Sequence, residues 1–270
     1  MQGSSRAAVA AGQLAFDAAL VGRPETTRLA EDLFGVTAAL DSSAALRRAL
    51  TEPSREAPAK VELARRLFAG KVSAPAMEFV ATLVSQRWSA ERDLGDAMES
   101  FGVQALAAAT EAAARTDAVE DQLFRFERIV AADPALREAL TSRTATAAAK
   151  AELVQRLLVG KAHLETVRLA RQAVLAPRGR RFDRIIEDYL KIIATRRQQL
   201  SATVVTAIEL SAAQRVRLSS ALQRIYGKAV HLNVVVDPQV IGGIRVEVGD
   251  EVVDGTVLRK LDAARRHMDG

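Results

Sequence analysis

The spacing of apolar residues divides the chain into a long helical part and a short part with the period of β-strands. Up to about residue 200, alanine and leucine recur three or four positions apart, as in the pairs Leu46 and Leu50 or Leu136 and Leu140. Residues at that spacing share one face of an α-helix. After residue 200, β-branched residues and glycine become dense. The pattern predicts a mainly α protein, with two tandem helical-bundle domains followed by a small α/β carboxyl-terminal domain.

The helical part contains an internal repeat with an offset of 90 residues. Residues 49–71 and 139–161 align without gaps and are identical at 12 of 23 positions. Self-similarity at a fixed offset indicates that one structural unit occurs twice. We therefore predict a first helical bundle over residues 1–101, a second over residues 102–200 and the α/β domain over residues 201–270.

The carboxyl-terminal part reads as a strand, a helix, a strand and a hairpin before a closing helix. Residues 203–208 and 232–236 are short β-branched runs, which are typical of buried strands. Between them, Ser211 and Gln214 have the spacing of a capping box that begins a helix. Residues 244–248 alternate apolar and polar side chains, which predicts a strand with one buried face and one exposed face.

Turn-forming dipeptides separate these predicted strands. Proline and aspartate favour turns, and glycine supplies backbone freedom where the chain turns tightly or is closely approached. Turn geometry alone could therefore explain why these residue types stand at these places. The dipeptides are Asp237-Pro238, Gly242-Gly243, Gly249-Asp250 and Asp254-Gly255.

The same stretch, residues 232–261, closely resembles the carboxyl-terminal signature of the ATP synthase delta subunit, whose mitochondrial relative is the oligomycin sensitivity-conferring protein. The order and spacing of the dipeptides above carry the resemblance, together with Ile244, Arg245 and Val246. The family usually has one six-helix domain ahead of this signature. The present chain resembles a long form with that domain duplicated.

The resemblance implies a function without catalysis by this chain. It is that of a non-catalytic peripheral-stalk subunit, or stator, of the rotary proton-translocating ATP synthase. Such a subunit links the catalytic alpha/beta head, through amino-terminal segments of alpha subunits, to a membrane-anchored b-type stalk, and it resists torque. The implied location is the cytoplasmic face of the plasma membrane. No stretch of the sequence approaches the roughly 20 apolar residues that span a bilayer, so we expect membrane attachment only through partner subunits.

Two sets of residues follow from the resemblance. Residues 15–19 are similar to the first helix of the family, so we expect the first bundle to bind the alpha subunit. Ala11 stands where the family often has tyrosine. The candidate partner-binding residues are Phe16, Arg245, Asp250 and Asp254. The residues expected to shape the signature are Asp237, Pro238, Gly242, Gly243, Gly249 and Gly255.

The charge of the chain leaves a second function open. Its 38 basic and 33 acidic residues give a net charge of +5 and a pI near 9.9. A basic surface suits an acidic partner or nucleic acid, whereas interspersed signs suit an ordinary solvated surface. The most basic segment is residues 178–197, with only Phe182 and Tyr189 as aromatic residues. The alternative function is a basic helical-repeat protein that binds nucleic acid, although so few aromatic residues provide little base stacking.

Three Gly-Lys pairs invite comparison with a phosphate-binding loop. None is followed by serine or threonine, and none has the earlier glycine of such a loop. A glycine just after a helix, next to a basic residue, is typical of a helix end. We interpret all three pairs as helix ends: Gly70-Lys71, Gly160-Lys161 and Gly227-Lys228.

The sequence holds no pattern for catalysis, a metal ion or a cofactor. There is no cysteine, and the histidines, His163, His231 and His267, lie far apart. The aspartates near the chain end are better explained as turn residues than as metal ligands. We predict no catalytic residues, no cofactor and no metal, and we expect Trp88 in the core of the first bundle.

Overall fold

The computed structural model describes residues 3–20, 26–142, 144–198, 200–226, 230–238, 240, 243–248 and 251–254. Over these residues the chain is mainly helical, with a small sheet near its carboxyl terminus, so the predicted fold class is confirmed. The chain divides into two compact units. One unit contains Met1–Gly12 and Pro24–Arg196, and the other contains Gln13–Arg23 and Arg197–Gly270.

The helices before the sheet have bounds that show the repeat. The helices are α1 (Gly3–Leu20), α2 (Thr26–Ser42), α3 (Ala44–Thr51), α4 (Ala57–Phe68), α5 (Ala74–Ser85), α6 (Glu91–Ala112), α7 (Thr116–Ala132), α8 (Pro134–Thr141), α9 (Ala147–Leu158), α10 (Leu164–Leu175) and α11 (Phe182–Gln198). Each of α2 to α5 begins and ends 90 residues before its counterpart among α7 to α10. The repeat in the sequence is therefore a repeat of helices.

Helix α6 belongs to both copies of the repeat. It runs without a break from Glu91 to Ala112, and α1 shifted by 90 residues falls inside it. The expected break after residue 101 therefore needs correction, because it falls within one helix that ends the first copy and begins the second. The compact helical unit continues across this point. The assignment of residues 1–101 and 102–200 as separate domains stays a prediction from the repeat.

Equivalent residues hold the helices of each copy together. In the first copy, the backbone N–H of Ser73 donates to the buried Asp32 carboxylate at 2.8 Å. In the second copy, the backbone N–H of His163 donates to the Gln122 side-chain oxygen at 2.9 Å. Both donors are the residue just before a helix, α5 or α10, whose free N–H groups need acceptors. We call these contacts the helix-start ties.

Glycine permits the closest helix contacts. A Cβ atom on Gly102 of α6 would lie 2.5 Å from the ring of Phe34 of α2. The equivalent residue of α1, Gly12, would place a Cβ atom 2.6 Å from Leu83 of α5. Real Cβ atoms do not approach other atoms so closely, so both positions need a residue without a side chain.

The helix ends predicted at two of the Gly-Lys pairs are confirmed. Gly70 and Gly160 follow α4 and α9, and both have φ of +75°. This left-handed conformation is the usual one for a glycine that ends a helix. The third pair, Gly227-Lys228, lies outside the described residues.

The carboxyl-terminal unit contains a four-stranded sheet. Its elements are β1 (Leu200–Thr206), α12 (Ala212–Tyr226), β2 (Val230–Val236), β3 (Ile244–Val248) and β4 (Glu251–Asp254). The strand order is β2-β1-β3-β4, with β1 and β2 parallel and the other pairs antiparallel. The first strand begins and ends earlier than residues 203–208. The closing helix predicted near the chain end lies outside the described residues.

Local sequence signals explain how α12 crosses between the parallel strands. The Ser211 N–H donates to Oε1 of Gln214 at 2.8 Å, and the Gln214 N–H donates to Oγ of Ser211 at 3.3 Å. This reciprocal pair is the predicted capping box, and it is confirmed. Leu222 of α12 packs in a small core with apolar residues of β1, β2 and β3, among them Val204 and Val246.

Candidate partner-binding surfaces

The turn after β2 has the geometry expected of the signature. The Asp237 N–H donates to the Thr206 carbonyl oxygen at 2.8 Å, and the Val240 N–H donates to the Asp237 carbonyl oxygen at 3.1 Å. Pro238 lies inside this turn and has no N–H to donate. Gly243 has φ of +83°, which side chains other than glycine rarely tolerate. These residues shape the backbone, as predicted.

Arg245 lies on the exposed face of the sheet. Its side chain is 48% exposed and its guanidinium pairs with the Glu247 carboxylate at 2.6 Å. Val246 between them is buried, so the predicted alternation of a buried and an exposed face is confirmed. In the strand register, Arg245 pairs with Val205 of β1 and with Asp254 of β4. Two of the candidate partner-binding residues therefore lie directly opposite each other on neighbouring strands.

Exposed apolar residues lie in the same register rows as the Arg245–Glu247 pair. Val205 pairs with Val235 of β2, whose side chain is 44% exposed. Glu247 pairs with Val252 of β4, which is 45% exposed. An apolar surface crossed by a charged pair is the composition found in protein interfaces. We call this surface, with Val235, Arg245, Glu247 and Val252, the sheet face.

Phe16 requires a correction. Its side chain is completely buried, so it contributes to the interior and offers no surface to a partner. An apolar residue on an amphipathic helix can face either the core or a partner, and the spacing does not distinguish the two. Asp250, Gly242, Gly249 and Gly255 lie outside the described residues.

A buried ionic cluster connects the two copies of the helical repeat. Arg178, in the loop after α10, is only 8% exposed at its side chain. Its Nε donates to Oδ2 of Asp41 at 2.8 Å, and its Nη1 donates to Oδ1 of Asp96. The same Nη1 lies 3.2 Å from Oε2 of Glu99. Burial opposes the charge of this guanidinium, but Glu99 and Asp41 outweigh burial and raise the pKa of Arg178.

The cluster extends along α11. Arg180 donates to Oε2 of Glu99 at 2.6 Å, and the Tyr189 hydroxyl donates to Oε1 of Glu99 at 2.6 Å. Glu99 is therefore satisfied at both oxygens although it is almost fully buried. Burial, and then the negative charge of Glu99, raises the pKa of Tyr189. We call Asp41, Asp96, Glu99, Arg178, Arg180 and Tyr189 the copy-joining cluster.

Sequence reasoning missed the copy-joining cluster, yet the repeat contained a signal for it. Arg178 occupies the position equivalent to Trp88. Trp88 is buried, as predicted, and its Nε1–H donates to the Leu83 carbonyl oxygen at 3.0 Å. An arginine at the position of a buried tryptophan needs buried carboxylates nearby, because an unpaired charge in the interior is costly.

Most arginines of the basic segment have carboxylate partners within the chain. Besides Arg178 and Arg180, three more make ion pairs: Arg181 with Asp183, Arg184 with Glu187, and Arg196 with Glu111. Arginines that neutralise the chain's own acids are less available to phosphates. The segment therefore acts mainly in folding.

Comparison with known proteins assigns the family. Residues 103–268 match the family model described as "ATP synthase delta (OSCP) subunit". This match covers more than half of the chain, including the second helical copy and the sheet. The chain belongs to the ATP synthase delta (OSCP) subunit family. As a member of this family, it is an accessory subunit without catalytic function of its own.

Relatives in the delta family match the chain at full length. The ATP synthase subunit delta of Kineococcus radiotolerans is 48% identical over 269 residues, covering 99% of this chain and 98% of that protein. The subunit of Streptomyces avermitilis is 47% identical over 267 residues, covering 98% of each. These relatives therefore include the first helical copy, which the family model does not cover.

Two further observations concern membership in a membrane complex. A chain of the Toxoplasma gondii mitochondrial ATP synthase hexamer aligns with 62% of this chain and 97% of its own length, at 15% identity and a TM-score of 0.27. That likeness is too low to support an argument about the fold. Within the part of the chain that the structure describes, no helix is long and apolar enough to cross a bilayer.

Proposed function

We propose that this chain is a peripheral-stalk subunit of the rotary proton-translocating ATP synthase. It ties the catalytic alpha/beta head to the membrane-anchored b-type stalk and resists the torque of the rotor. The observation that carries the proposal is the delta-family match over residues 103–268, together with full-length delta relatives. Its place is the cytoplasmic face of the plasma membrane, held there by partner subunits.

The helical unit is the part proposed to bind amino-terminal segments of alpha subunits. The sequence favoured the first copy for this role because of Phe16, but that side chain is buried. The family model begins at residue 103, within α6, and so covers the second copy. Both observations favour the second copy for the alpha-subunit contact.

The sheet face is the part proposed to bind the b-type stalk. It has half-exposed valines on β2 and β4 and the Arg245–Glu247 pair on β3. Arg245 and Asp254 remain the proposed contact residues on this surface, with Asp250 proposed from the signature alone. Contacts through two separate surfaces raise overall affinity by effective concentration, which suits a link that carries load.

A stator also needs stiffness between its contact points. The copy-joining cluster fixes the loop before α11 to α2 and α6 through charged hydrogen bonds that are largely buried. Such bonds are shorter and stronger than neutral ones. The two helical copies thus share both a continuous helix and an ionic connection, which supports a function under torque.

A purification of the intact complex tests the proposed function. The tagged full-length chain is isolated from mildly solubilised membranes, and its stoichiometric partners are identified by mass spectrometry. We expect alpha, beta and b-type subunits with inhibitor-sensitive ATPase activity. An Arg245→Glu variant should lose the b-type subunit, whereas Arg66→Glu on exposed α4 should not. Recovery of the chain alone, or with nucleic acid, would contradict the proposal.

The alternative function in nucleic-acid binding has its own signature. Binding that depends on phosphate contacts weakens steeply as salt rises. The paired arginines of residues 178–197 give this alternative little support. We expect no salt-dependent retention of the purified chain on immobilised nucleic acid.

A further inference from the structure

The two helical copies share a backbone pattern but differ in one region of surface. At five positions, the second copy has a larger apolar or basic residue where the first has glycine or alanine. Helix α7 and the turn between α9 and α10 carry all five changes. They are Gly35 to Arg125, Ala38 to Arg128, Ala39 to Ile129, Ala69 to Val159 and Ala74 to Leu164.

The large apolar residues in this region are exposed. Ile129, Val159 and Leu164 are 56%, 57% and 57% exposed, and Phe124 on α7 is 55% exposed. Single exposed apolar residues are common on protein surfaces, but a group of them along one side of a helix pair indicates an interaction site. The first copy has the same helices without these apolar residues, so the fold does not require them.

A groove of about 430 Å³ lies within this region. Its lining comes from α7, α8 and α9, and the apolar part consists of Phe126, Ile129, Leu136, Leu157 and Leu158. In the first copy, the residue equivalent to the half-buried Leu158 is Phe68, which is buried. The smaller leucine does not fill the same space. We call this cavity the α7–α9 groove.

The charge around the groove indicates the chemistry of its occupant. Residues 102–200 contain 17 basic and 12 acidic residues, whereas residues 1–101 contain 12 basic and 13 acidic ones. The net positive charge of the chain therefore belongs to the second copy. Arg125 at the groove is paired with Asp121 at 3.0 Å. Lys161 at the groove and Arg128 on α7 are exposed, and neither makes an ion pair among the described residues.

We propose that the α7–α9 groove binds an amphipathic helix of a partner protein, whose apolar stripe is flanked by acidic side chains. The apolar lining receives the stripe, as in other helix-in-groove contacts. Arg128 and Lys161 then face the acidic flanks, so that charge complementarity selects the partner and orients it. This binding activity does not depend on the stalk function, because both the groove and its charges belong to this chain alone.

Fluorescence anisotropy with the full-length chain tests the proposal. The probe is a labelled 18-residue peptide held helical by a hydrocarbon staple on its polar face, with leucines at positions i, i+3, i+4 and i+7 and glutamates on both flanks. A second peptide has lysine in place of every glutamate. We expect the glutamate peptide to bind at least about tenfold more tightly than the lysine peptide, and the difference to shrink as salt rises.

Two double variants separate the apolar contribution from the ionic one. Ile129→Ala with Val159→Ala restores the residues of the first copy, and we expect about tenfold weaker binding of both peptides. Arg128→Glu with Lys161→Glu should weaken only the glutamate peptide. All four side chains are exposed, so the fold should tolerate these changes, and a circular dichroism melt verifies it. Lys71→Glu, at the position equivalent to Lys161, is the matched control and should bind both peptides normally.

Three results would overturn the proposal. The first is equal affinity for the glutamate and lysine peptides. The second is undiminished binding by the Ile129→Ala, Val159→Ala variant. The third is self-association of the wild-type chain in sedimentation equilibrium that this variant abolishes, since a second copy of the chain would then occupy the groove.

Discussion

The two helical copies are built alike, yet each completes its core differently. Their helices have equivalent bounds, equivalent helix-start ties and equivalent glycines at helix ends. At one position, however, the first copy has Trp88 and the second has Arg178. Trp88 closes the first copy with an apolar ring and one hydrogen bond, whereas Arg178 reaches carboxylates of the first copy. The difference shows how one unit, used twice, acquires a connection between its copies.

The largest expected effect comes from removing that connection. Arg178→Met leaves Asp41, Asp96 and Glu99 without the guanidinium, and Glu99 is almost fully buried. Breaking a buried ion pair by removing one partner costs about 3–5 kcal/mol. We expect a loss of that order in the free energy of unfolding, measured by urea denaturation of the full-length chain.

The control for this variant is Arg181→Met in the same loop. Arg181 pairs with Asp183, but its side chain is 83% exposed. Exposed ion pairs contribute about 0–1 kcal/mol, so this variant should unfold close to the wild-type urea concentration. If the two variants lost equal stability, burial of the cluster would not be the source of its strength.

The second effect concerns the shared helix α6. Gly102→Val places side-chain atoms where the Phe34 ring lies, and overpacking of this kind costs about 1–3 kcal/mol. Gly35 on α2 is the matched control, because nothing lies within 4 Å of the Cβ atom it lacks. Gly35→Ala should raise the free energy of unfolding by up to about 1 kcal/mol, since alanine is the better helix former. Opposite shifts in thermal denaturation are the expected result, and shifts of the same sign would contradict the close packing.

The third effect tests whether the copies are equivalent where they look equivalent. Asp32→Ala and Gln122→Ala each remove one helix-start tie, and each should cost about 1–2 kcal/mol. Glu62→Ala, which removes an exposed pair with Arg66, should change little. Chemical denaturation of the three variants gives the comparison. A normal stability for only one of the tie variants would show that the copies differ in more than their surfaces.

The smallest effect depends on pH and belongs to the second copy. The pKa of Tyr189 is raised by burial and then by Glu99, well above its usual value near 10. In the unfolded chain this hydroxyl loses its proton first, so its contribution to stability is complete below pH 10 and is lost as pH rises above 10. The wild-type chain should therefore lose about 1.4 kcal/mol per pH unit more than Tyr189→Phe in that range. Parallel urea midpoints for the two proteins between pH 10 and pH 11 would contradict this.

Much of the fold was predictable because its signals are local. The capping box at Ser211, the turn at Asp237 and the glycines after α4 and α9 each act within a few residues. Three findings were not predictable from local signals. The repeat does not reveal that α6 serves both copies, and helical spacing does not reveal that Phe16 faces the interior. The partners of Arg178 lie 82 and 137 residues away along the chain, so no spacing rule could pair them.

The candidate contact surfaces show the same division. The alternation over residues 244–248 correctly predicted that Arg245 is exposed and Val246 buried. The register that places Arg245 opposite Asp254 depends on the hairpin, and the valines beside it come from other strands. Resemblance pointed to the residues, whereas the pairing of strands defined the surface.

The central claim is that this chain holds the head of the ATP synthase against rotation, and proton pumping tests it most directly. Inverted membrane vesicles are depleted of the chain, and ATP hydrolysis and ATP-driven acidification are measured before and after the purified chain is added back. The account predicts that depleted vesicles hydrolyse ATP without acidification, and that the wild-type chain restores acidification. Full acidification in vesicles without the chain would contradict the proposed function.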